Sequence, residues 1–159
     1  MRKTKMAVTP LDSVIAELIE KSEHEVLAIW AADCAERVLP YFENKSPNDA
    51  RPRRAIEALR EWALTDVFKM DAVRAASLAA HAAARSVGDD DAARSAARAA
   101  GQAMATAHVP KHAQAAAVYA ATAVCDAADP AGAAAAALKE REWQYKHLRE
   151  LSKMREVDK

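Results

Sequence analysis

The sequence predicts an all-α protein, a compact single domain of about seven helices around an alanine-rich core. Three observations predict it. Residues 72–137 are about half alanine, the strongest helix former and the smallest side chain that still packs, and Gly88, Pro110 and Pro130 cut this stretch into helix-length pieces. Outside it, apolar residues recur at three- and four-residue spacing. Valines are scattered, glycine is confined to Gly88, Gly101 and Gly132, and no Asn-Gly or Asp-Gly turn joins alternating runs, so no strand is expected.

Thr9 followed by Pro10 reads as a cap and first helical residue, and Leu11, Ile15, Leu18 and Ile19 then share one face of a first helix that runs to Lys21. Residues 1–8 form a flexible N-terminus in this reading. Ser22 and Glu25 have the capping-box form ahead of Val26, Leu27, Trp30, Ala31, Cys34, Val38 and Leu39, a second helix that Pro40 should end or kink. Asn44 to Ala50 is turn-like, and Pro52 opens a third helix with Ala55, Ile56, Leu59, Trp62 and Ala63 inward and Arg53, Glu57 and Arg60 outward.

A fourth helix should run from about Asp71 to Val87 and stop at Gly88, the residue type preferred in a left-handed cap. Asp89, Asp90 and Asp91 offer a capping side chain and dipole-complementing charge to a fifth. Its apolar face is Ala93, Ala96, Ala97, Ala100, Ala103, Met104 and Ala107, with Arg94, Arg98 and Gln102 opposite. Gly101 in its middle costs roughly 1 kcal/mol against alanine, which a close backbone crossing would explain. Pro110 opens a sixth helix, and from Lys111 to Asp126 only His112 can carry charge, so Ala113 to Cys125 is the expected central element. Asp129 and Pro130 repeat the cap-then-proline signal for a seventh helix carrying Leu138, Trp143, Tyr145, Leu148 and Leu151. Its alanine half should be buried and its charged half exposed, with fraying near Met154 and a loose end over residues 155–159.

A chain of 159 residues suits one domain with a real core. Its 23 basic and 23 acidic residues balance to a formal charge of +0, which argues against nucleic acid as a partner. Met1 to Lys5 is basic, but no apolar segment of signal-peptide type follows, and the alanine-rich zone is too weakly hydrophobic and too interrupted by Arg to enter a membrane. Cys34 and Cys125 then read as two reduced, buried thiols of a cytoplasmic protein, each on an apolar face and neither in a nucleophile's setting.

Chemistry-bearing residues are few. Arg74, Leu78, His81 and Arg85 form a narrow stripe on the fourth helix, and two guanidinium groups beside an imidazole call for a carboxylate. Asp33 and Glu36, next to Arg37 in the otherwise apolar second helix, are the candidates, giving an ion-pair network between helices two and four. His108 and His112 flank Pro110; with Cys34 and His81 they form the alternative reading, a metal or small-ligand site, although the proline break disfavours ligation from one face. His108 can equally satisfy carbonyls at the helix end. Ser13, Ser77 and Ser95 lack a nucleophile-elbow context, no glycine-rich phosphate loop exists, and Asp89 to Asp91 lack calcium-loop spacing. No cofactor is indicated. Trp143, Tyr145 and Leu148 beside Lys146, His147 and Arg149 have the composition of an interface anchor, and would otherwise pack on the first or second helix.

Several segments together resemble a known family: Trp30 to Pro40, Arg51-Pro52-Arg53 with Ala55-Ile56-Glu57-Ala58 and Trp62, Ala79 to Arg85, Ala105 to Val109, and Glu142-Trp143-Gln144. Over residues 22–150 the chain is similar to the immunity protein family associated with bacterial polymorphic toxin systems; Leu64 to Lys69 departs from its pattern. The resemblance implies a small all-helical cytoplasmic protein that binds a cognate toxin and blocks it, with no catalytic residues to carry over. Three functions therefore stand: occlusion of a toxin, a ligand- or metal-holding bundle centred on Asp33, Cys34, His81, His108 and His112, and a structural homodimer joined through the Trp143 helix.

Overall fold

A computed structural model describes residues 5–158, which form seven α-helices and, among the described residues, no strand. They are α1 (Asp12–Glu20), α2 (His24–Glu43), α3 (Arg51–Thr65), α4 (Met70–Arg85), α5 (Asp91–Ala105), α6 (His112–Ala127) and α7 (Ala133–Val157). Residues 1–4 of the expected flexible N-terminus lie outside the described residues; within the remainder, the Ala7 N–H donates to Thr122 Oγ1 on α6.

Local chemistry accounts for most boundaries. The Asp12 carboxylate takes the Thr9 N–H and hydroxyl, so Thr9 and Pro10 shape the turn that enters α1. Asp90 accepts the Ala93 N–H and caps α5, and Gly88 adopts φ +63° in the turn before it. Asp66, at φ 56°, ends α3 in the same left-handed conformation.

Other expectations are corrected. Ser22 does not cap α2, because its hydroxyl donates to the Leu18 carbonyl at the end of α1. Pro40 neither starts nor ends a helix; α2 runs through it to Glu43. Pro40 is exposed, so water can take up the carbonyl that its missing N–H leaves free. Asp129 and Pro130 form a turn closed by the Gly132 N–H on the Asp129 carbonyl, one step ahead of α7. That helix continues to Val157, its last turn held by Arg155 on Glu23 and Glu25 of the α2 start.

The core has a bulky half and an alanine half. Trp30, Leu39 and Phe42 of α2 and Ile56 and Leu59 of α3 fill the first. In the second, Ala80, Ala83 and Ala84 of α4, Ala93, Ala97 and Ala100 of α5, and Ala113, Ala116 and Ala120 of α6 are all fully buried, with α5 packed between α4 and α6. Each alanine methyl contributes only about 0.8 kcal/mol of burial, so this half relies on the close backbone approach that small side chains permit. The hub is α5, which packs against α2, α3, α4 and α6, whereas α6 packs against α2, α5 and α7. Helix six is thus surrounded as expected but shares the centre, because the polar face assigned to α5 is folded inward onto partners.

Helix α7 departs from its expected burial along one stripe, although Lys139, Glu142, Lys146, Arg149 and Glu150 are exposed as expected. Ala134 and Ala135 are exposed, while Glu140, Arg141 and Gln144 are buried beside Leu148. Here the helix lies against α2 and α6 through its polar stretch, and α1 docks on it.

Candidate functional site

Two polar clusters remain at or near the surface. The first joins α2, α3 and α7. Asp33 and Glu36 both accept from Arg60, at 2.8 and 2.9 Å, and Asp33 takes the His147 Nε2 proton at 2.7 Å. One turn along, Arg37 holds Glu140 through Nε and Nη2, the shorter contact being 2.6 Å, and its guanidinium carbon lies 3.9 Å above the Trp143 ring, which stacks on His147 at 4.6 Å. The hydrogen bond to Glu140 raises the Arg37 pKa further above its ordinary value. The network expected between α2 and α4 is therefore corrected: Asp33 and Glu36 face α3 and α7, because α2 packs there and α5 separates it from α4.

Trp143, offered as an interface anchor, is half-buried within this cluster, and Tyr145 packs partly buried with Arg149 5.6 Å from its ring centroid. Leu148 is 0% exposed and belongs to the core, so it presents no surface to a partner. Beneath the cluster, Arg141 donates to Gln144 Oε1 and to Asp12, Gln144 donates to the Ala117 carbonyl, and Trp30 Nε1 donates to the Gln144 carbonyl. Burial pushes the Asp12 carboxyl up, but the bonds from Thr9 and the Arg141 charge outweigh it and hold the group below its ordinary range. Every buried side-chain polar atom among the described residues has a hydrogen-bond partner.

The second cluster lies in the seam between α4 and α5. Arg74, Leu78 and His81 line one hollow of about 260 Å³ with Gln102, His108 and His112, as the stripe on α4 predicts. Arg98 of α5, which sequence reasoning left on an outer face, reaches back to His81, Nη1 to Nδ1 at 2.9 Å. A guanidinium only donates, so Nδ1 accepts and the ring proton sits on Nε2. Burial first, then the charges of Arg98, Arg85 and His112, lower the His81 pKa to about 4. His112 Nδ1 pairs with Gln102 Oε1 at 2.8 Å, and His108 stacks beside Phe68 with centroids 6.0 Å apart.

The metal alternative is corrected by the same geometry. Among the described residues no three His, Cys, Asp or Glu side chains converge to hold a metal ion. Cys34 is buried in the other cluster's floor, where desolvation and the Glu140 and Asp33 charges push its thiol well above the ordinary value. His81, His108 and His112 do share one hollow, but Arg98 occupies His81 Nδ1 and Gln102 occupies His112 Nδ1.

A family model described as Imm-5 like putative immunity protein matches residues 17–151. The chain belongs to that family. No curated protein and no solved structure matches it. The family match takes in α2 through α6, both polar clusters and most of α7, and it spans the Leu64 to Lys69 segment. No described helix is long and apolar enough to cross a membrane.

Sequence reasoning missed Arg60, Arg98, Glu140, Gln144 and His147 as members of these clusters. For α7 the signal was present: Ala137, Arg141, Gln144, Leu148 and Leu151 follow one helical stripe, so Arg141 and Gln144 stand where apolar residues would. Arg60 and Arg98 carried none, since an arginine on a polar face reads as solvated until its neighbour is known.

Proposed function

We propose that the protein is an immunity protein that binds one cognate toxin and blocks it by covering its surface, with no catalysis of its own. The observation that carries this reading is membership of the Imm-5 like family over residues 17–151. The side chains agree with it. Ser77 donates its hydroxyl proton to the Gly101 carbonyl, Ser86 to the Ala83 carbonyl and Ser95 to Asp126; burial pushes the Cys34 thiol well above its ordinary value, and Cys125, only half-buried where the sequence suggests full burial, is raised by partial desolvation and the Asp126 charge. Ser77 and Ser95 thus tie α5 to α4 and to α6, and Ser86 closes the end of α4, so these hydroxyls are engaged in structural bonds rather than poised to attack a substrate.

The reading places the protein inside the cell that makes the toxin. Co-expression with the product of the adjacent toxin gene tests it. Restored growth and a complex that co-purifies are expected; full toxin activity in the presence of saturating protein would overturn the assignment.

A further inference from the structure

Helix α4 packs chiefly on α3 and α5, and its buried residues, Val73, Ala80, Ala83 and Ala84, lie on that side. Leu78 points the opposite way, at the middle of the outward face, and is 60% exposed. Asp71 and Arg85 stand seven residues before and after it. At about 3.6 residues per turn the three side chains fall within roughly 20° of one line along the helix.

Asp71 and Arg85 are both exposed, and neither forms an ion pair among the described residues; Asp89 and Asp91 line the same hollow as Arg85 without bonding to it. Arg74 stands at the rim of the face, where its long side chain keeps the charge in water. A large apolar side chain held in solvent between two opposite charges is an interface without its partner.

The arrangement says what the partner is. A two-fold contact uses the same patch twice and must complement itself. Turning a second α4 antiparallel to the first exchanges the ends of the line, and because Leu78 is equidistant from both, opposite charges meet at each end. Parallel pairing would set carboxylate against carboxylate and guanidinium against guanidinium. Opposite charges at equal distances from one exposed leucine thus need only a second copy of this chain to be satisfied.

We propose that α4 is a self-association face, on which two copies pair antiparallel about a two-fold axis at Leu78, with Asp71 of each set against Arg85 of the other. Each Leu78 seats between Ala75 and Ala82 of the opposite copy, whose methyl groups leave it room. The contact is one helix wide and roughly 21 Å long, less than a permanent dimer buries, so monomer and dimer exchange. The inference is independent of the immunity reading, and its test needs no toxin.

Sedimentation equilibrium of the full chain, followed up to roughly millimolar concentration, tests it, with native helicity of each variant checked by circular dichroism. The wild type is expected to approach twice the monomer mass, and Leu78→Glu to remain monomeric. Asp71→Arg and Arg85→Asp should each weaken self-association at least about tenfold, because either reversal sets like charges together at both ends. An equimolar mixture of these two variants should dimerise about as well as the wild type, since antiparallel pairing of one with the other brings opposite charges together again. A mixture no better than its components would overturn the proposal. A dimer that survives Leu78→Glu would overturn it and move the contact to another face, and a wild type monomeric at every concentration would overturn it and leave the α4 face to a different protein.

Discussion

The imidazole of His81 lies directly on the backbone of Gly101, so that a Cβ placed on Gly101 would stand 2.7 Å from Nε2. The mid-helix glycine of α5 is thus explained by a ring from α4, where the sequence pointed to a backbone crossing. Arg98 pins that ring from its other nitrogen, which prevents it from swinging aside. Gly101→Ala should therefore destabilise the protein by about 1–2 kcal/mol, the overlap outweighing the roughly 1 kcal/mol that alanine gains in helix propensity. In a His81→Ala background the same substitution should stabilise. Urea midpoints of the four proteins check this, and a stabilised Gly101→Ala single variant would refute the packing argument.

His81 also predicts a pH dependence. Its folded pKa of about 4 lies below the ordinary 6.5, so between these values the unfolded chain binds more protons than the folded one. The associated stability is complete above pH 6.5 and is lost as the pH falls towards 4. The ring is partly solvated, and screening reduces the effect to roughly 1–2 kcal/mol. A His81→Gln variant should lose that part of the slope in urea midpoints measured across the window. Identical slopes for variant and wild type would contradict the assigned neutral ring.

Arg141 and Gln144 form a buried couple, at 2% and 0% exposure. Gln144→Leu leaves the Arg141 guanidinium short of an acceptor inside the core, at a cost of about 2–4 kcal/mol. Adding Arg141→Met removes the stranded charge, while Asp12 is open enough to be hydrated, so the double variant should recover at least about 1 kcal/mol. Thermal and urea unfolding of both variants check the sign. A double variant less stable than Gln144→Leu would show that Arg141 matters chiefly through Asp12.

Trp143 is held by Arg37 above it and His147 beside it. Trp143→Ala should lower stability by about 2–3 kcal/mol through lost packing and the lost cation–ring contact. Light scattering should give the same mass for wild type and variant. A dimeric wild type with a monomeric variant would instead assign this side chain to a self-association surface.

How far the clusters were legible follows from what helical spacing encodes. The stripe of Arg74, Leu78, His81 and Arg85 could be drawn from the sequence because their spacing fixes them on one face of α4. What that face meets was not encoded there: Asp33 and Glu36 supplied the nearest carboxylates by pattern, yet α5 stands between α2 and α4 and brings Arg98 to the ring instead. In α7, hydropathy taken residue by residue puts the alanines inside, whereas Ala134 and Ala135 are exposed. The stripe through Arg141 and Gln144 was the better guide, since polar side chains can occupy a core when they satisfy one another.

The sequence by itself determined an all-helical chain, the number of helices, the break between the third and fourth helices and the turn at Gly88 to within a few residues, and the alanine-rich packing of α4, α5 and α6. These follow from propensity, breakers and periodicity, which act over a few residues along the chain. Only the tertiary structure decided that α5 is the hub, that Glu140, Arg141 and Gln144 of α7 are buried, and that His81 is clamped between Arg98 and Gly101. Each depends on which helix lies against which, and alanine surfaces, being alike and small, leave that choice to the few large and charged side chains whose partners are far away in sequence.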